Sequence, residues 1–198
     1  MSWTEEQLDF FAEKKYLIVD QFLFPAEIAA LRKMADEGLH SGQFKEAGVG
    51  KGSEQRVVKT ERGDWIYWLD AQSDSAAIQV YWDRINQVQS VINRNFYLGL
   101  NDMEAHLAVY QSGGFYKKHK DRHQISSTRR VSFVLYLNET WKKSDGGELM
   151  IYLDGETVEV EPISGRLVVF MSELEHEVLE TKVNRYSITG WAHQRELI

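Results

Sequence analysis

Apolar positions keep a spacing of three and four along the first hundred residues and then contract into short, closely set runs. Ile28, Leu31, Met34 and Ala35 share one face of a segment that opens with Pro25. A proline suits the first turn of a helix, because the N–H it lacks has no intrahelical partner there. Ile78, Trp82, Ile85, Val88 and Ile92 repeat the spacing over about residues 75 to 95, which predicts a second amphipathic helix. Thr4, followed by Glu5 and Glu6, supplies N-cap chemistry for a helix over 4–14 that carries Leu8, Phe10 and Phe11. Tyr16 to Val19 and Asp64 to Leu69 read as short strands.

From about Glu104 the runs become strand-like: Ala105–Tyr110, Val131–Leu137, Glu148–Leu153, Thr157–Glu161, Leu167–Phe170, Glu175–Leu179 and Tyr186–Ala192. Ser112-Gly113-Gly114, Asp145-Gly146-Gly147, Asp154-Gly155 and Ser164-Gly165 punctuate them as turns. Short strands at this interval predict a β-sandwich or jelly roll. The expected fold is α+β and mainly β, one domain over 1–198. Residues 1–103 form the helical support with the first strands, and 104–192 form the jelly-roll core.

Composition narrows the function classes. The chain has no cysteine, which removes disulfides, thiolate metal sites and cysteine nucleophiles. A net charge of -7 argues against nucleic-acid binding, although Lys117, Lys118, Lys120, Arg122, Arg129 and Arg130 cluster locally. That cluster reads equally as a basic patch or as an ordinary solvated loop. No apolar run approaches the ~18 residues of a membrane span, and the acidic start lacks the pattern of a signal peptide. A cytoplasmic protein without a membrane partner is expected. The Gly-rich stretch 47–53 does not match a phosphate-binding loop and reads as a surface lid, and no GxSxG elbow marks a serine hydrolase.

His119-x-Asp121 places an imidazole and a carboxylate two residues apart, and on an extended segment they share a face. Alone the pair is weak. His176, after the apolar run Leu167–Phe170, completes two histidines and one carboxylate, the facial set that leaves open positions on Fe(II). Arg185 follows nine residues later, a separation that suits neighbouring antiparallel strands with the guanidinium deep in the sandwich. A buried guanidinium needs an anion, either a core Asp or Glu or a ligand carboxylate.

Several stretches occur in the order of a known family. Tyr110-Gln-Ser-Gly-Gly-Phe-Tyr-Lys-Lys-His119-Lys-Asp121, Arg129-Arg-Val-Ser-Phe-Val-Leu-Tyr136-Leu-Asn138 with Trp141, and Asp145-Gly-Gly-Glu-Leu149 are three of them. Glu161-Pro162, Arg185-Tyr-Ser-Ile-Thr-Gly-Trp191 and, upstream, Arg62-Gly63-Asp64-Trp-Ile-Tyr-Trp68 are the others. Together they resemble the prolyl 4-hydroxylase branch of the Fe(II)/2-oxoglutarate dioxygenases, especially the hypoxia-inducible-factor type and its bacterial relatives.

The resemblance implies a double-stranded β-helix core that hydroxylates a prolyl residue in a protein, with release of succinate and CO2. His119, Asp121 and His176 would bind Fe(II). Arg185 and Tyr136 would hold the distal carboxylate of 2-oxoglutarate, with Tyr110 lining the same pocket. Tyr116 and Trp191 would flank the substrate proline, and Arg129 and Asp64 would position the substrate or its loop. For the aromatic residues core packing is the plain alternative, and for Arg129 and Asp64 a structural ion pair. O2 and, as a reductant, ascorbate complete the implied cofactors, and the chain is expected as a monomer or weak homodimer.

Two departures bear on the substrate. The Gln111–Phe115 turn is one residue shorter than the hypoxia-sensor pattern, which reshapes the entrance, and the lid stretch has its own sequence. Hydroxylation of a free amino acid or another small molecule stays open, as does a non-catalytic metal-binding jelly roll. A nucleic-acid demethylase fits poorly, because Trp191 stands where those enzymes carry a second arginine.

Overall fold

Three helices precede most of the strands and form one layer. α1 (Glu5–Lys14) starts at Thr4, whose hydroxyl accepts from Gln7 N while the Gln7 side chain accepts from Thr4 N. That reciprocal cap satisfies donors a helix start otherwise leaves open. After β1 (Tyr16–Val19), α2 (Pro25–His40) begins at its proline and buries Ile28, Leu31 and Ala35. The strands β2 (Lys45–Glu46) and β3 (Asp64–Trp68) lead to α3 (Ala76–Phe96), which buries Ile78, Trp82, Ile85, Val88 and Ile92. This computed structural model describes residues 2–48, 56–122 and 128–194.

The remaining strands are β4 (Leu100–Tyr110), β5 (Tyr116–His119), β6 (Arg129–Tyr136), β7 (Leu149–Leu153), β8 (Glu156–Val160), β9 (Leu167–Met171), β10 (Glu175–Val178) and β11 (Arg185–Gln194). They form two antiparallel sheets that face each other as a jelly roll. The larger runs β1-β9-β6-β11-β4-β3-β2 and the smaller runs β5-β10-β7-β8.

The large sheet is covered on both faces, which explains why β4, β6 and β9 read as nearly continuous apolar runs. On one face Leu107, Phe133, Leu135 and Ile188 pack with Leu31 and Ile85 under the helices. On the other, Ala108, Val134 and Phe170 meet Leu149, Ile151 and Val178 of the small sheet. Strand alternation sends the next residues in register to that second face, and several of them are polar: Asp64, His106, Ser132, Arg185 and Ser187 are all buried. The helix-free face of the large sheet is therefore where the chemistry collects.

The predicted helices and strands are present with ends shifted by a few residues. Two strands went unread. β2 is only two residues long, and Tyr116-Lys-Lys-His119 lacks alternation because a bulge interrupts its pairing with β10. The nine-residue spacing from His176 to Arg185 also needs correction. β10 and β11 are not neighbours in one sheet. They lie in opposite sheets, so His176 and Arg185 approach the interior from opposite sides.

Candidate active site

The bulge that hides β5 builds part of the site. His176 pairs with His119 and Val178 with Tyr116, although His176 and Val178 are two positions apart on β10 and Tyr116 and His119 three positions apart on β5. Tyr116 and His119 thus turn to the same side, and their rings stack with centroids 3.6 Å apart and planes 18° apart. His119 ends β5, and Asp121 lies just beyond it in irregular chain. The shared face expected of an extended His-x-Asp pair is reached at a strand end, not by strand alternation.

His119, Asp121 and His176 each offer one ligand atom, all within 4.8 Å of one another. The Nδ1 atoms are occupied: that of His119 lies 2.7 Å from Lys117 O, and that of His176 3.0 Å from Leu174 O. Each carbonyl fixes the N–H tautomer and frees the Nε2 lone pair for a metal. Those Nε2 atoms point at one carboxylate, His119 to Asp121 Oδ1 at 3.7 Å and His176 to Oδ2 at 3.4 Å. Burial alone would push the Asp121 carboxyl up, but His176, His119 and the Ser132 hydroxyl hold it well below the usual carboxylate range. A carboxylate with two oriented imidazoles suits a divalent iron ion.

Across the sandwich Arg185 is 3% exposed. Its Nε donates to Gly147 O at 2.8 Å and its Nη1 to Ser187 Oγ at 3.3 Å. Among the described residues it forms no ion pair, so the core Asp or Glu partner left open by the sequence is not found there. The guanidinium carbon lies 5.0 Å from the ring centroids of both Tyr110 and Tyr136. The Tyr136 hydroxyl is fully buried and makes no well-formed hydrogen bond among the described residues, although it sits close enough for the Arg185 guanidinium to act on it. Burial pushes both phenols up, so each stays a protonated donor. A buried cation beside a phenol hydroxyl fits one end of a dicarboxylate.

The residues expected around a substrate divide differently. Asp64 is wholly buried and grips Arg62 with two bonds, of 2.7 and 2.6 Å. Arg62 in turn covers the Tyr116 ring at 4.3 Å. Asp64 thus acts on the site through Arg62, a residue to which the sequence reading gave no role. Arg129 donates to Glu104 at 2.9 and 2.5 Å and lies 3.7 Å over the Trp191 ring. Burial would raise the Glu104 carboxyl, but His193 and Arg129 hold it at about 2. Both ion pairs that were the plain alternative for these two residues are present.

His106 was missed. It is 2% exposed, packed between Trp68 (4.9 Å) and Trp191 (5.3 Å), with no partner for Nδ1 among the described residues, and burial drives it down to about 4. Its only sequence signal was an odd polar residue in the apolar run of β4. The basic cluster largely pairs off: Lys117 with Glu61, Arg122 with Glu173, Arg129 with Glu104, Arg130 with Gln194, and Lys118 over the Tyr152 ring. Four of the six lie on β5 and β6 and not in a loop. Most of the lid stretch, from residue 49 on, lies outside the described residues.

Comparison with known proteins agrees with this geometry. Residues 105–193 match the family profile of the 2OG-Fe(II) oxygenase superfamily. A prolyl-4-hydroxylase of Pseudomonas putida superposes with a TM-score of 0.86 at 36% identity, covering 96% of this chain and 98% of its own. A prolyl hydroxylase of Trichoplax adhaerens, in complex with a hypoxia-inducible-factor oxygen degradation domain peptide, gives 0.84 at 25% identity over 95% and 87%. An uncharacterized PKHD-type hydroxylase of Synechocystis is 25% identical over 112 residues, 48% of this chain, and the match spans only 37% of that relative. With a solved relative matched over nearly its whole length, the chain belongs to the 2OG-Fe(II) oxygenase superfamily, in the branch that contains the prolyl 4-hydroxylases.

Proposed function

We propose that this protein is an Fe(II)- and 2-oxoglutarate-dependent dioxygenase that hydroxylates a prolyl residue in a protein. One observation carries the chemistry: two tethered imidazoles and a carboxylate converge opposite a buried arginine that has no carboxylate partner among the described residues. His119, Asp121 and His176 hold the iron. Arg185 and the Tyr136 hydroxyl take the distal carboxylate of 2-oxoglutarate, and Tyr110 walls the same end. Iron supplies the oxidative chemistry, which converts 2-oxoglutarate and O2 to succinate and CO2 and leaves one oxygen atom on the substrate carbon. The protein positions the co-substrate by charge and fork geometry, and the apolar wall of Val134, Phe170 and Ile151 keeps water out.

The prolyl substrate rests on likeness to the Pseudomonas and Trichoplax enzymes together with an aromatic mouth. Tyr116 and Trp191 are each held by a stacked guanidinium, Arg62 and Arg129, and rigid aromatic faces suit a compact, uncharged pyrrolidine ring. Arg129 and Asp64 therefore serve the substrate indirectly, by fixing these rings. Whether ascorbate serves as reductant is settled by adding it to the same assay.

The test is Fe(II)-dependent succinate formation from 2-oxoglutarate, with mass spectrometry of host proteins for one added oxygen and His119→Ala as control. Marks on proline that vanish in the control are expected. Oxygen found only on free metabolites would refute the prolyl reading and leave the chemistry standing. No succinate with any substrate would favour a binding module.

A further inference from the structure

We infer that Ser132 and Ser172 are positioning residues for the metal, forming a two-hydroxyl relay that locks the Asp121 carboxylate. The inference rests on the reading of His119, Asp121 and His176 as metal ligands. Ser132 on β6 places its Oγ 2.7 Å from Asp121 Oδ2 and 2.9 Å from Ser172 Oγ. Both serines are fully buried. A hydroxyl has one proton to give. The Ser132 hydroxyl donates to Asp121 Oδ2, so its one proton is spent there and Ser172 must donate to Ser132. The direction of the chain follows: Ser172 to Ser132 to Asp121. Each bond polarises the next, which stiffens the end that matters.

Ser172 is fixed at its own end. Its N–H donates to Arg130 O at 2.9 Å, and its carbonyl accepts from Arg122 N at 2.9 Å, one residue beyond Asp121. The relay therefore grips the Asp121 segment twice, once through the carboxylate and once through the backbone. It does so from the large sheet, whereas His119 and His176 come from the small one. Asp121 sits in irregular chain, so no strand pairing sets its side chain. The relay replaces the constraint that the two histidines take from β5 and β10. With one oxygen engaged by Ser132, the orientation of the carboxylate that would hold the metal is set in advance.

The probe is Co(II) binding to the metal-free full chain, followed by calorimetry and by the visible d–d absorption of the bound ion. Ser132→Ala should weaken Co(II) binding about 10- to 100-fold, the usual cost of losing a group behind a metal ligand, and change the absorption band. Ser132→Thr, which keeps the hydroxyl on a strand that tolerates branching, should bind near the wild-type level. Ser172→Ala should lose no more than Ser132→Ala, and the double variant no more than Ser132→Ala alone, because one serine acts through the other.

Melting of the metal-free variants separates a merely structural role. A lowered melting point with unchanged Co(II) affinity and spectrum overturns the relay. So do losses that multiply in the double variant. If Ser132→Ala does not fold, Ser172→Ala and Ser132→Thr still decide. Wild-type protein that binds no Co(II) overturns the metal reading itself, and this inference with it.

Discussion

Replacing Arg185 with methionine should abolish co-substrate stabilisation without weakening the metal-free protein. In the native chain this cation is 3% exposed and is met by a backbone carbonyl at 2.8 Å and a serine oxygen at 3.3 Å. Hydrogen bonds to charged groups contribute about 1.5–3 kcal/mol each, but a buried charge without a counter-ion costs several kcal/mol in lost hydration. The two sides nearly cancel, and methionine fills the shape while leaving no charge behind. Metal-free Arg185→Met is therefore expected to melt within a few degrees of wild type, or above it.

Ligand binding should reveal the difference. With metal bound and 2-oxoglutarate at 100 times its dissociation constant, the folded state gains about 2.7 kcal/mol, roughly 5–11 °C for a chain of this size. Losing a charge-assisted contact of roughly 3 kcal/mol raises the dissociation constant about 150-fold. The same ligand concentration then yields about 0.3 kcal/mol, a shift of about 1 °C. The assay is differential scanning calorimetry with Co(II) in place of iron, with and without 2-oxoglutarate. A full ligand-induced shift in Arg185→Met would refute the assignment of this pocket. A metal-free variant that melts far below wild type would refute the account of an uncompensated buried charge.

Two further outcomes follow from the buried polar groups. An unfolded His106 takes up its proton near pH 6.5 while the folded one resists to about 4, so stability should fall as pH drops through that window, by roughly 3 kcal/mol in all. Urea titrations at pH 7 and 4.5 should show that loss in wild type and a much smaller one in His106→Met; equal losses would sink the idea. Arg62→Met should destabilise by about 3–5 kcal/mol, because it strands the wholly buried Asp64 carboxylate, and pairing it with Asp64→Leu should recover much of that. An Arg62→Met protein as stable as wild type by denaturant unfolding would show that Asp64 does not need its partner.

The helices were legible because their apolar stripes face one layer, and a period of three and four survives in Ile78, Trp82, Ile85, Val88 and Ile92. The metal set was legible through its context: His119-x-Asp121 alone is weak, and the surrounding stretches that resemble the family pointed to His176 as the third ligand. The sheet assignment of Arg185 was not legible. Nine residues suit either a hairpin or a crossing from one sheet to the other, and only the pairing of β11 with β4 and β6 decides. β5 escaped because alternation is the strand signal and a bulge erases it. Ser132, Arg62 and His106 escaped for a different reason. Each matters through a partner distant in sequence, respectively Asp121, Tyr116 and Trp191, and such pairs carry no local signature.

Those distant partners also explain why the site lies where it does. The iron-side residues belong mainly to the small sheet and the oxoacid-side residues to the large one, so their mutual geometry depends on how far apart the sheets stand. A side-chain hydrogen bond ties each half to the opposite sheet: Ser132 of β6 to Asp121 at 2.7 Å, and Arg185 of β11 to the carbonyl of Gly147, just before β7, at 2.8 Å. Gly147 is held at φ +81, and an added Cβ would stand 2.9 Å from Arg185 Cδ, so the second tie tolerates little besides glycine. Between the two ties, Val134, Phe170, Leu149 and Ile151 fill the gap, with Phe170 edge-on to His176 at 4.7 Å. A close-packed interior changes spacing only by leaving a cavity or forcing strain. Apolar packing here thus acts as a gauge block for a polar site, and a core substitution that shifts the sheets should disturb metal and co-substrate binding together.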